Sequence, residues 1–486
     1  MKVLNKPFLY RYRFILGYLA LMVVFFILLC FLPRIAPGGL SQAEMDSVVA
    51  ANEISFTSAT NENVINLPYY LLQKASVSIF GLSLYSIKLP SIIIGALAAF
   101  FIVLLLNRWF KSDVAIVGSI LTTLSTAFLF LADSGTPTIM YIFWLALILW
   151  LGSKIVGNEN THPLLVISFV ISLALSMYTP HLIYVAIGIG IAGISHPHLR
   201  FALKQLEFYQ LIISFSAFAL AMIPLIIGCI MRPENIRTLT LMPDFNIGNY
   251  FNNIATAFAP FFSFSMAYDS IYLAPLFGLA TVALIIIGAL ASMSKLFTSR
   301  NTVVSLLIIF AILASGLNQD LAITIIIPIS ILTAAGLESI IDKWHSLFPE
   351  NPYAHFLGTT PVVIVVLMIV ISGLSHFVFG YHYTPRVAKN FDNDITIIKN
   401  NLDAGDILLV EEGNQNYNFY KLLERYNSIT VMSTIPERND SAKIAILGQS
   451  SSDKNLKLQQ IITSPKKRNS DRLYIYSKVT EEKGEE

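Results

Sequence analysis

The sequence predicts a polytopic α-helical membrane protein with a small α/β domain at its C-terminus. Of its 486 residues, 55% are hydrophobic and only 13% are charged, whereas soluble domains contain about 25% charged residues. The charged residues are also unevenly distributed, because 32 lie in residues 1–380 and 30 lie in the last 106 residues. We therefore predict a transmembrane domain over residues 1–380 and a polar domain over residues 381–486.

About eleven apolar segments occupy most of the first 380 residues, and each is predicted as a transmembrane helix. Several are shorter than the roughly 20 residues that cross a bilayer. The two segments on either side of Thr179–Pro180, and the two on either side of Gly316–Asp320, are therefore equally consistent with re-entrant hairpins. No small-residue cleavage site follows the first segment, which predicts a retained helix. The segments cover residues 14–32, 88–106, 113–131, 137–153, 163–178, 180–194, 208–230, 271–292, 301–316, 321–337 and 358–380.

The basic residues predict the orientation, because short cytoplasmic loops hold an excess of Lys and Arg. With the N-terminus in the cytoplasm, twelve basic residues before residue 381 lie on the inner face and five on the outer face. An odd number of spans then places the C-terminal domain outside the cytoplasm. We expect the protein in a cell membrane, and in a bacterium because the chain shows no organelle retrieval signal.

The predicted outer loop over residues 33–87 contains two amphipathic stretches, 42–57 and 67–80, which are too short to span and are predicted as membrane-surface helices. The first begins with Ser41-Gln42-Ala43-Glu44, the spacing of a capping box, in which the serine and glutamate satisfy free backbone donors. Asp46 lies about 200° from Glu44 around that helix. The two carboxylates are therefore not expected to face one substrate.

The C-terminal domain alternates short β-branched runs with one helical segment, which predicts three or four strands and a helix. It shows no recognisable catalytic constellation, so acceptor binding and a purely structural cap both stay open as its role. The final EEKGEE is predicted to be disordered. The segments are DILLVEE at 406–412, YNFYKLLERY at 417–426, SITVMST at 428–434, AKIAILG at 442–448 and RLYIYSKV at 472–479.

Several classes of function find no support in the sequence. The two cysteines, Cys30 and Cys229, lie in apolar runs, where a cysteine packs as a small hydrophobe. No His/Cys metal motif, Walker sequence or dinucleotide fingerprint is present. The chain also lacks the basic face that a nucleic-acid-binding protein needs.

Four motifs follow one another in residues 10–155. They are an acidic loop start at Ala43-Glu44-Met45, then Asn66-Leu67-Pro68-Tyr69-Tyr70-Leu71-Leu72, then Phe80-Gly81 with Lys88-Leu89-Pro90-Ser91, and ADSGTPTIMYIFWLAL at 132–147. This order resembles the GT-C class of polyprenyl-phosphate-sugar glycosyltransferases, and within it the protein O-mannosyltransferases and lipid A aminoarabinose transferases. The resemblance implies a GT-C-like fold for the membrane domain.

The resemblance also implies inverting transfer of a sugar from a polyprenyl-phosphate donor to a glycan, lipid or protein acceptor at the extracytoplasmic face. A carboxylate would accept the acceptor's proton or hold a divalent cation such as Mg²⁺ or Mn²⁺, and cations would stabilise the leaving phosphate. Glu44 is the residue expected to hold any metal. The implied residues are Glu44, Asp46 and Asp133 for catalysis, Lys88, Arg232 and Arg237 for the donor phosphate, and Tyr69, Tyr70 and His181 for the acceptor or the cavity wall.

Each of these side chains also has a purely structural interpretation. Glu44 fits a helix cap, and Asp133 precedes Ser134 and Gly135, which suit a plain turn. Arginines at helix ends such as Arg232 often contact lipid head groups. A lone histidine such as His181 is more often hydrogen-bonded locally.

Two other classes of function stay open. A transporter or lipid flippase would show internal repeats and ionisable sites near the middle of the membrane, whereas here no repeat is visible and the charges lie at span ends. A non-catalytic envelope assembly protein would keep the fold and lose the catalytic acid. Ala43, at a position where the resembling enzymes often have an acid, is the observation that favours it.

Overall fold

A computed structural model describes residues 13–54, 64–157, 162–240, 247–262, 273–295, 297–347, 352–435, 443–448, 455–463 and 472–478. The predicted disordered tail lies outside these residues. The chain divides into two compact units. The membrane unit comprises residues 1–31, 56–68 and 91–380, and the second unit comprises residues 32–55, 69–90 and 381–486.

The described part of residues 13–383 is mainly helical. Its first four helices are the first span, the two surface helices and the second span. The α-helices in this part are Arg13–Ile35, Gln42–Glu53, Leu67–Phe80, Leu84–Trp109, Ser112–Thr123, Thr126–Asp133, Ile139–Val156, Pro163–Ser176, Leu182–Ser195, Pro197–Lys204, Phe208–Met231, Glu234–Thr240, Tyr250–Phe262, Leu279–Met293, Ser299–Ser315, Ile326–Leu347 and Pro352–Tyr383. Short 3₁₀ helices cover Ile247–Asn249 and Gln319–Ile325. The two stretches predicted as surface helices are helical over Gln42–Glu53 and Leu67–Phe80, and they keep the names first and second surface helix below.

Among the described residues, six helices are long and apolar enough to cross a membrane, and two bent pairs raise that number to eight if each pair is one span. The bent pairs are Ser112–Thr123 with Thr126–Asp133 and Leu182–Ser195 with Pro197–Lys204. Three further apolar helices are shorter, namely Pro163–Ser176, Leu279–Met293 and Ser299–Ser315. The eleven predicted segments thus coincide with six long helices, two bent pairs and three short helices, and the predicted polytopic membrane fold is confirmed.

Two glycines allow helices Leu279–Met293 and Ile326–Leu347 to cross at backbone distance in the membrane unit. A Cβ atom at Gly288 would overlap the Leu332 carbonyl oxygen, and a Cβ at Gly336 would overlap the Leu284 carbonyl oxygen. Small residues are favoured where membrane helices approach closely, because association there depends on van der Waals packing. This crossing therefore depends on the absence of side chains at both positions.

We expect Gly288→Ala to destabilise the folded protein in detergent by about 1–3 kcal/mol, the usual cost of overpacking. The measurement is the thermal unfolding midpoint of the purified protein. Gly190→Ala is the matched control, because Gly190 lies in another apolar helix of the membrane unit, where an added Cβ has nothing within 4 Å. Equal midpoints for the two variants would show that the helix crossing tolerates a side chain.

The second unit contains a two-stranded and a five-stranded sheet. Strands β1 (Leu40–Ser41) and β2 (Phe391–Asp392) pair antiparallel. The larger sheet has the order β4-β3-β5-β7-β6, in which β3 is parallel to β4 and β5 while β7 is antiparallel to β5 and β6. The remaining elements are β3 (Ile407–Leu409), β4 (Thr430–Met432), β5 (Ile444–Leu447), β6 (Leu456–Thr463), β7 (Arg472–Lys478) and the helices Pro385–Ala388, Asp394–Asn401 and Tyr417–Asn427.

One hydrophobic core joins the first surface helix to this C-terminal sheet. Met45 and Val48 from the surface helix belong to the same buried cluster as Leu408 of β3 and Leu423 of helix Tyr417–Asn427. Arg425 and Tyr426 of that helix also donate hydrogen bonds to the Asn52 side chain, at 3.2 and 2.9 Å. The first surface helix is therefore part of the polar domain's core, and its N-terminus with Glu44 is fixed by that packing.

Candidate functional site

A buried ion pair joins the start of the first surface helix to the start of the second span. The Glu44 Oε1 atom lies 3.4 Å from the Lys88 Nζ atom, and both side chains are 1% exposed. An uncompensated charge is very costly to bury, whereas a paired and hydrogen-bonded one is tolerated. The sequence marks both residues as candidates, and the structure shows that they contact each other.

The capping box predicted at Ser41 is present and holds the Glu44 carboxylate in place. Ser41 has extended backbone angles, and its hydroxyl accepts a hydrogen bond from the Glu44 backbone N–H at 3.4 Å. In return, the Ser41 backbone N–H and hydroxyl donate to Glu44 Oε2 at 2.7 and 3.1 Å. One carboxylate oxygen is thus used for the cap, and the other faces the Lys88 ammonium.

The second surface helix fixes the backbone next to Lys88. Pro90 in helix Leu84–Trp109 has no N–H, so the Ser86 carbonyl lacks its normal helical donor four residues on. The Ser76 hydroxyl supplies a donor to that carbonyl at 2.7 Å. The buried Gln73 amide donates to the Ile87 carbonyl at 3.3 Å. Two side chains of one helix therefore hold the turn that carries Lys88.

Gln73 also contacts the helix that carries Glu44, because its side-chain oxygen accepts a hydrogen bond from the Ser47 hydroxyl at 2.7 Å. It is 0% exposed. Gln73 and Ser76 were not identified from the sequence, although two polar residues three positions apart share one face of a helix. Two polar side chains on one face of the mostly apolar helix LPYYLLQKASVSIF are the sequence feature that indicates a buried polar contact here.

We expect Gln73→Leu to lower any activity of this site roughly tenfold and to cost about 1–3 kcal/mol of stability, because Ser47 and the Ile87 carbonyl lose a buried partner. A positioning role predicts a fall in kcat per mole of folded protein, quantified by size-exclusion chromatography, with little change in KM, whereas simple loss of folded protein leaves this normalised kcat unchanged. Gln415→Leu is the control, because Gln415 is exposed in a turn of the same unit. A tenfold loss in both variants would remove the special role of Gln73.

The surroundings of Glu44 do not suit a divalent cation. Its two carboxylate oxygens face an ammonium group and two hydrogen-bond donors, and the ammonium would repel a metal ion. In the part of the chain that the structure describes, no group of three or more His, Cys, Asp or Glu side chains is placed to hold a metal. We therefore assign no step to a metal ion at Glu44.

Three other candidates lie in the second unit. Asp46 is exposed and accepts a hydrogen bond from the Gln42 amide at 3.0 Å, so it faces away from the buried Glu44 as the helical spacing predicts. Tyr69 is buried and Tyr70 is half-buried. Their rings meet edge to face with centroids 6.0 Å apart, a geometry that packs one ring inside and leaves the other partly accessible.

Asp133 belongs to the membrane unit and ends helix Thr126–Asp133, where it is 1% exposed. The loop that follows contains a chain of hydroxyl groups, in which Ser134 and Thr138 both lie 2.8 Å from the Thr136 hydroxyl. Ser91 in the second span donates to the Thr136 carbonyl at 3.3 Å. The second predicted outer loop is thus a closely hydrogen-bonded turn around a buried carboxylate.

His181, Arg232 and Arg237 also lie in the membrane unit. His181 has a left-handed backbone with φ of 61°, and its backbone N–H donates to the Leu239 carbonyl at 2.9 Å. Its Nδ1 atom lies 3.2 Å from the Asn318 amide nitrogen. Leu239 belongs to helix Glu234–Thr240, which also carries Arg237. The structure therefore brings His181 to the helix of Arg237.

Arg232 and Arg237 are both exposed. Arg232 caps the C-terminus of helix Phe208–Met231, and its backbone N–H donates to the Gly228 carbonyl. The buried Asn235 side chain donates to the same carbonyl at 2.9 Å. The two arginines thus extend from a chain reversal that is fixed by hydrogen bonds at the helix end.

Comparison with known proteins gives one family match. Residues 67–227 match the sequence model of the dolichyl-phosphate-mannose-protein mannosyltransferase family. This region includes Lys88, Asp133 and His181 and covers one third of the chain. A sequence comparison with curated proteins finds no match.

Solved structures share the fold. ArnT from Cupriavidus metallidurans, in the apo state, aligns with a TM-score of 0.54 at 10% identity, over 95% of this chain and 98% of that one. The same protein bound to undecaprenyl phosphate aligns with a TM-score of 0.52 at 9% identity, over 96% of this chain and 98% of that one. An oligosaccharyltransferase from Archaeoglobus fulgidus aligns with a TM-score of 0.50 at 11% identity, over 88% of this chain and 64% of that one.

These similarities extend over nearly the whole chain, whereas the sequence resemblance is limited to the first third. Identities of about one in ten residues show a shared fold and leave the activity to be argued from the site. The protein is therefore a membrane protein with the GT-C fold, as the motifs of its first 155 residues predict.

Proposed function

We propose that the protein transfers a sugar from a polyprenyl-phosphate donor to an acceptor at the outer face of the membrane. The observation that carries this proposal is the buried Glu44–Lys88 pair. A base and a cation in contact provide the two charged groups that the reaction needs, one for each reacting partner. The family match over residues 67–227 and the undecaprenyl phosphate bound by an ArnT of the same fold support the choice of donor.

In the proposed reaction, an acceptor hydroxyl oxygen attacks the anomeric carbon while the bond from that carbon to the phosphate oxygen breaks. The polyprenyl phosphate leaves with the electron pair, and the Lys88 ammonium stabilises its negative charge. The hydroxyl proton passes to the Glu44 carboxylate as the general base. Attack opposite to the leaving group inverts the anomeric configuration.

Donor binding has a clear consequence for the resting pair. A phosphate group near Lys88 competes with Glu44 for the ammonium, because a charge-assisted hydrogen bond to phosphate is as strong as one to carboxylate. The ammonium is then shared between the donor phosphate and Glu44, so donor binding acts directly on the pair.

The remaining predicted residues have proposed supporting roles. Arg232 and Arg237 are proposed donor contacts, because arginine binds phosphate through paired N–H groups. The accessible ring of Tyr70 is proposed to contact the acceptor, with Tyr69 packed behind it. His181 is proposed to contact the acceptor or line its binding site, and Asp133 is the reserve candidate for the catalytic base. We place the polar domain on the extracytoplasmic side of a bacterial cell membrane.

A cryo-EM structure of the purified protein with added undecaprenyl phosphate tests this proposal. We expect the phosphate within hydrogen-bond distance of the Lys88 Nζ atom and the Glu44–Lys88 distance to increase. Phosphate density at Arg232 or Arg237, with the Glu44–Lys88 distance unchanged, would show that these arginines and not Lys88 bind the donor phosphate. Absence of lipid from all three would contradict the donor assignment.

A non-catalytic assembly protein is the second candidate, and one observation favours it. Glu44 is engaged by its cap and by Lys88, as a purely structural carboxylate would be. This alternative predicts that substitutions at the pair change only the folding stability. Activity and stability measured on the same variants separate the two functions.

A further inference from the structure

A cavity of about 740 Å³ lies in the second unit, apart from the Glu44–Lys88 pair. Its walls come from the end of the first span, the start of helix Leu84–Trp109, the end of the last span and helix Asp394–Asn401. The residues that matter for its chemistry are Arg34, Tyr85, His382 and Lys399. None of the roles already proposed uses them.

The cavity carries positive charge. Arg34 and Lys399 line it and are both exposed, and its described lining contains no Asp or Glu. Within the part of the chain that the structure describes, neither cation forms an ion pair with a carboxylate. The Arg34 guanidinium lies over the Tyr85 ring, 5.2 Å from its centroid, and this cation–π contact keeps it in position.

The lining is amphipathic. Asn393 and Asn400 add polar amide side chains to the lining, and Ile35, Leu84 and Ile395 add apolar ones. A ligand that fits both parts has an anionic group and an attached apolar portion. Membrane phospholipids have this composition.

The position in the chain also indicates a lipid. Arg34 lies in the last turn of the span Leu16–Ile35, and His382 lies next to the end of the span Leu357–Tyr383. Residues at the ends of spans lie at the depth of the lipid head groups. A cavity lined by the ends of two spans therefore opens where phosphate groups of the bilayer are concentrated.

The backbone around the cavity is fixed by strand pairing. Leu40 pairs with Asp392 and Ser41 with Phe391, which ties the segment after Arg34 to the segment before helix Asp394–Asn401. Gly39 is required at this point, because a Cβ there would lie 2.8 Å from the Asp392 carbonyl oxygen. The same short strand ends at Ser41, the residue that caps Glu44, so the cavity wall continues directly into the Glu44 helix.

We propose that this cavity binds the phosphate of an anionic phospholipid head group, with Arg34 and Lys399 as the phosphate contacts. This binding does not depend on the transferase activity. It anchors the polar domain to the membrane surface beside the helix that carries Glu44.

Isothermal titration of the purified full chain in detergent tests the proposal, with dihexanoylphosphatidylglycerol as the probe. Arg34→Gln and Lys399→Gln are each expected to weaken its binding roughly tenfold, the effect of losing one charge-assisted hydrogen bond. Arg34→Lys, which keeps the charge, is expected to bind better than Arg34→Gln. Lys457→Gln is the control, because Lys457 is an exposed cation on β6 outside the cavity.

Two further ligands separate the possible sources of the anion. Dihexanoylphosphatidylcholine, whose head group has no net charge, is expected to bind at least about tenfold more weakly than the phosphatidylglycerol. Inorganic phosphate at the same concentration is expected not to displace the lipid. Displacement by inorganic phosphate would identify a site for free phosphate, and equal binding of both lipids or unchanged binding by Arg34→Gln and Lys399→Gln would overturn the proposal.

Discussion

Glu44→Gln is expected to reduce sugar transfer by a factor of about 10² to 10⁴, the usual contribution of a general base. Glutamine has nearly the same shape and can still accept the hydrogen bonds from Ser41, but it cannot take a proton from the acceptor. The measurement is the loss of labelled sugar from undecaprenyl-phosphate-linked hexoses in membranes that contain the protein. The rate is normalised to folded protein by size-exclusion chromatography in detergent.

Glu53→Gln is the matched control, since Glu53 lies on the same helix and is exposed. It is expected to leave transfer unchanged. If Glu44→Gln retains more than about a tenth of the activity, a role of this size for a general base is excluded. The base would then be sought at Asp46 or Asp133.

The local parts of this site are predictable from the sequence. The capping box at Ser41–Glu44 and the helical conformation of the two stretches are set by residue spacing within a single turn or a single helix, and the structure contains both. The opposite directions of Glu44 and Asp46 follow from the helical repeat alone. The apolar segments are equally local, because each one must satisfy its own backbone hydrogen bonds in lipid.

The long-range parts are not predictable in this way. Glu44 and Lys88 are far apart in sequence, and nothing in the spacing of either shows that their side chains meet. The first surface helix shares a core with Leu408 and Leu423, a packing that depends on the tertiary fold. The sequence of strand β6, LKLQQIIT, lacks the regular alternation that predicts a half-buried strand. The structure gives the reason, because most residues of this strand are exposed.

Glu44→Gln is also expected to destabilise the protein, which the sequence alone does not suggest. If Glu44 were an exposed cap residue, its replacement by glutamine would change the folding stability little. In the structure, however, the substitution removes the carboxylate charge that lies 3.4 Å from the buried Lys88 ammonium. Breaking a buried pair by removing one partner costs about 3–5 kcal/mol.

Lys88→Met is therefore expected to lower both stability and transfer. The stability falls by about 3–5 kcal/mol because the buried Glu44 carboxylate loses the ammonium beside it, and transfer falls because the leaving phosphate loses its cation. Thermal unfolding in detergent measures the first effect and the sugar-release assay the second. Lys88→Arg keeps the charge and is expected to retain more of both than Lys88→Met.

The double variant Glu44→Gln with Lys88→Met separates the structural role of the pair from its chemical role. It removes both buried charges, so we expect it to be more stable than either single variant, because an apolar or neutral pair of similar volume is often tolerated. Its transfer activity is expected to stay as low as that of the single variants, since the base and the cation are both absent. Additive losses of stability would show that the two side chains are not coupled. Recovery of stability together with recovery of transfer would instead show that Glu44 is not the base and Lys88 not the phosphate contact, and that the pair is only structural.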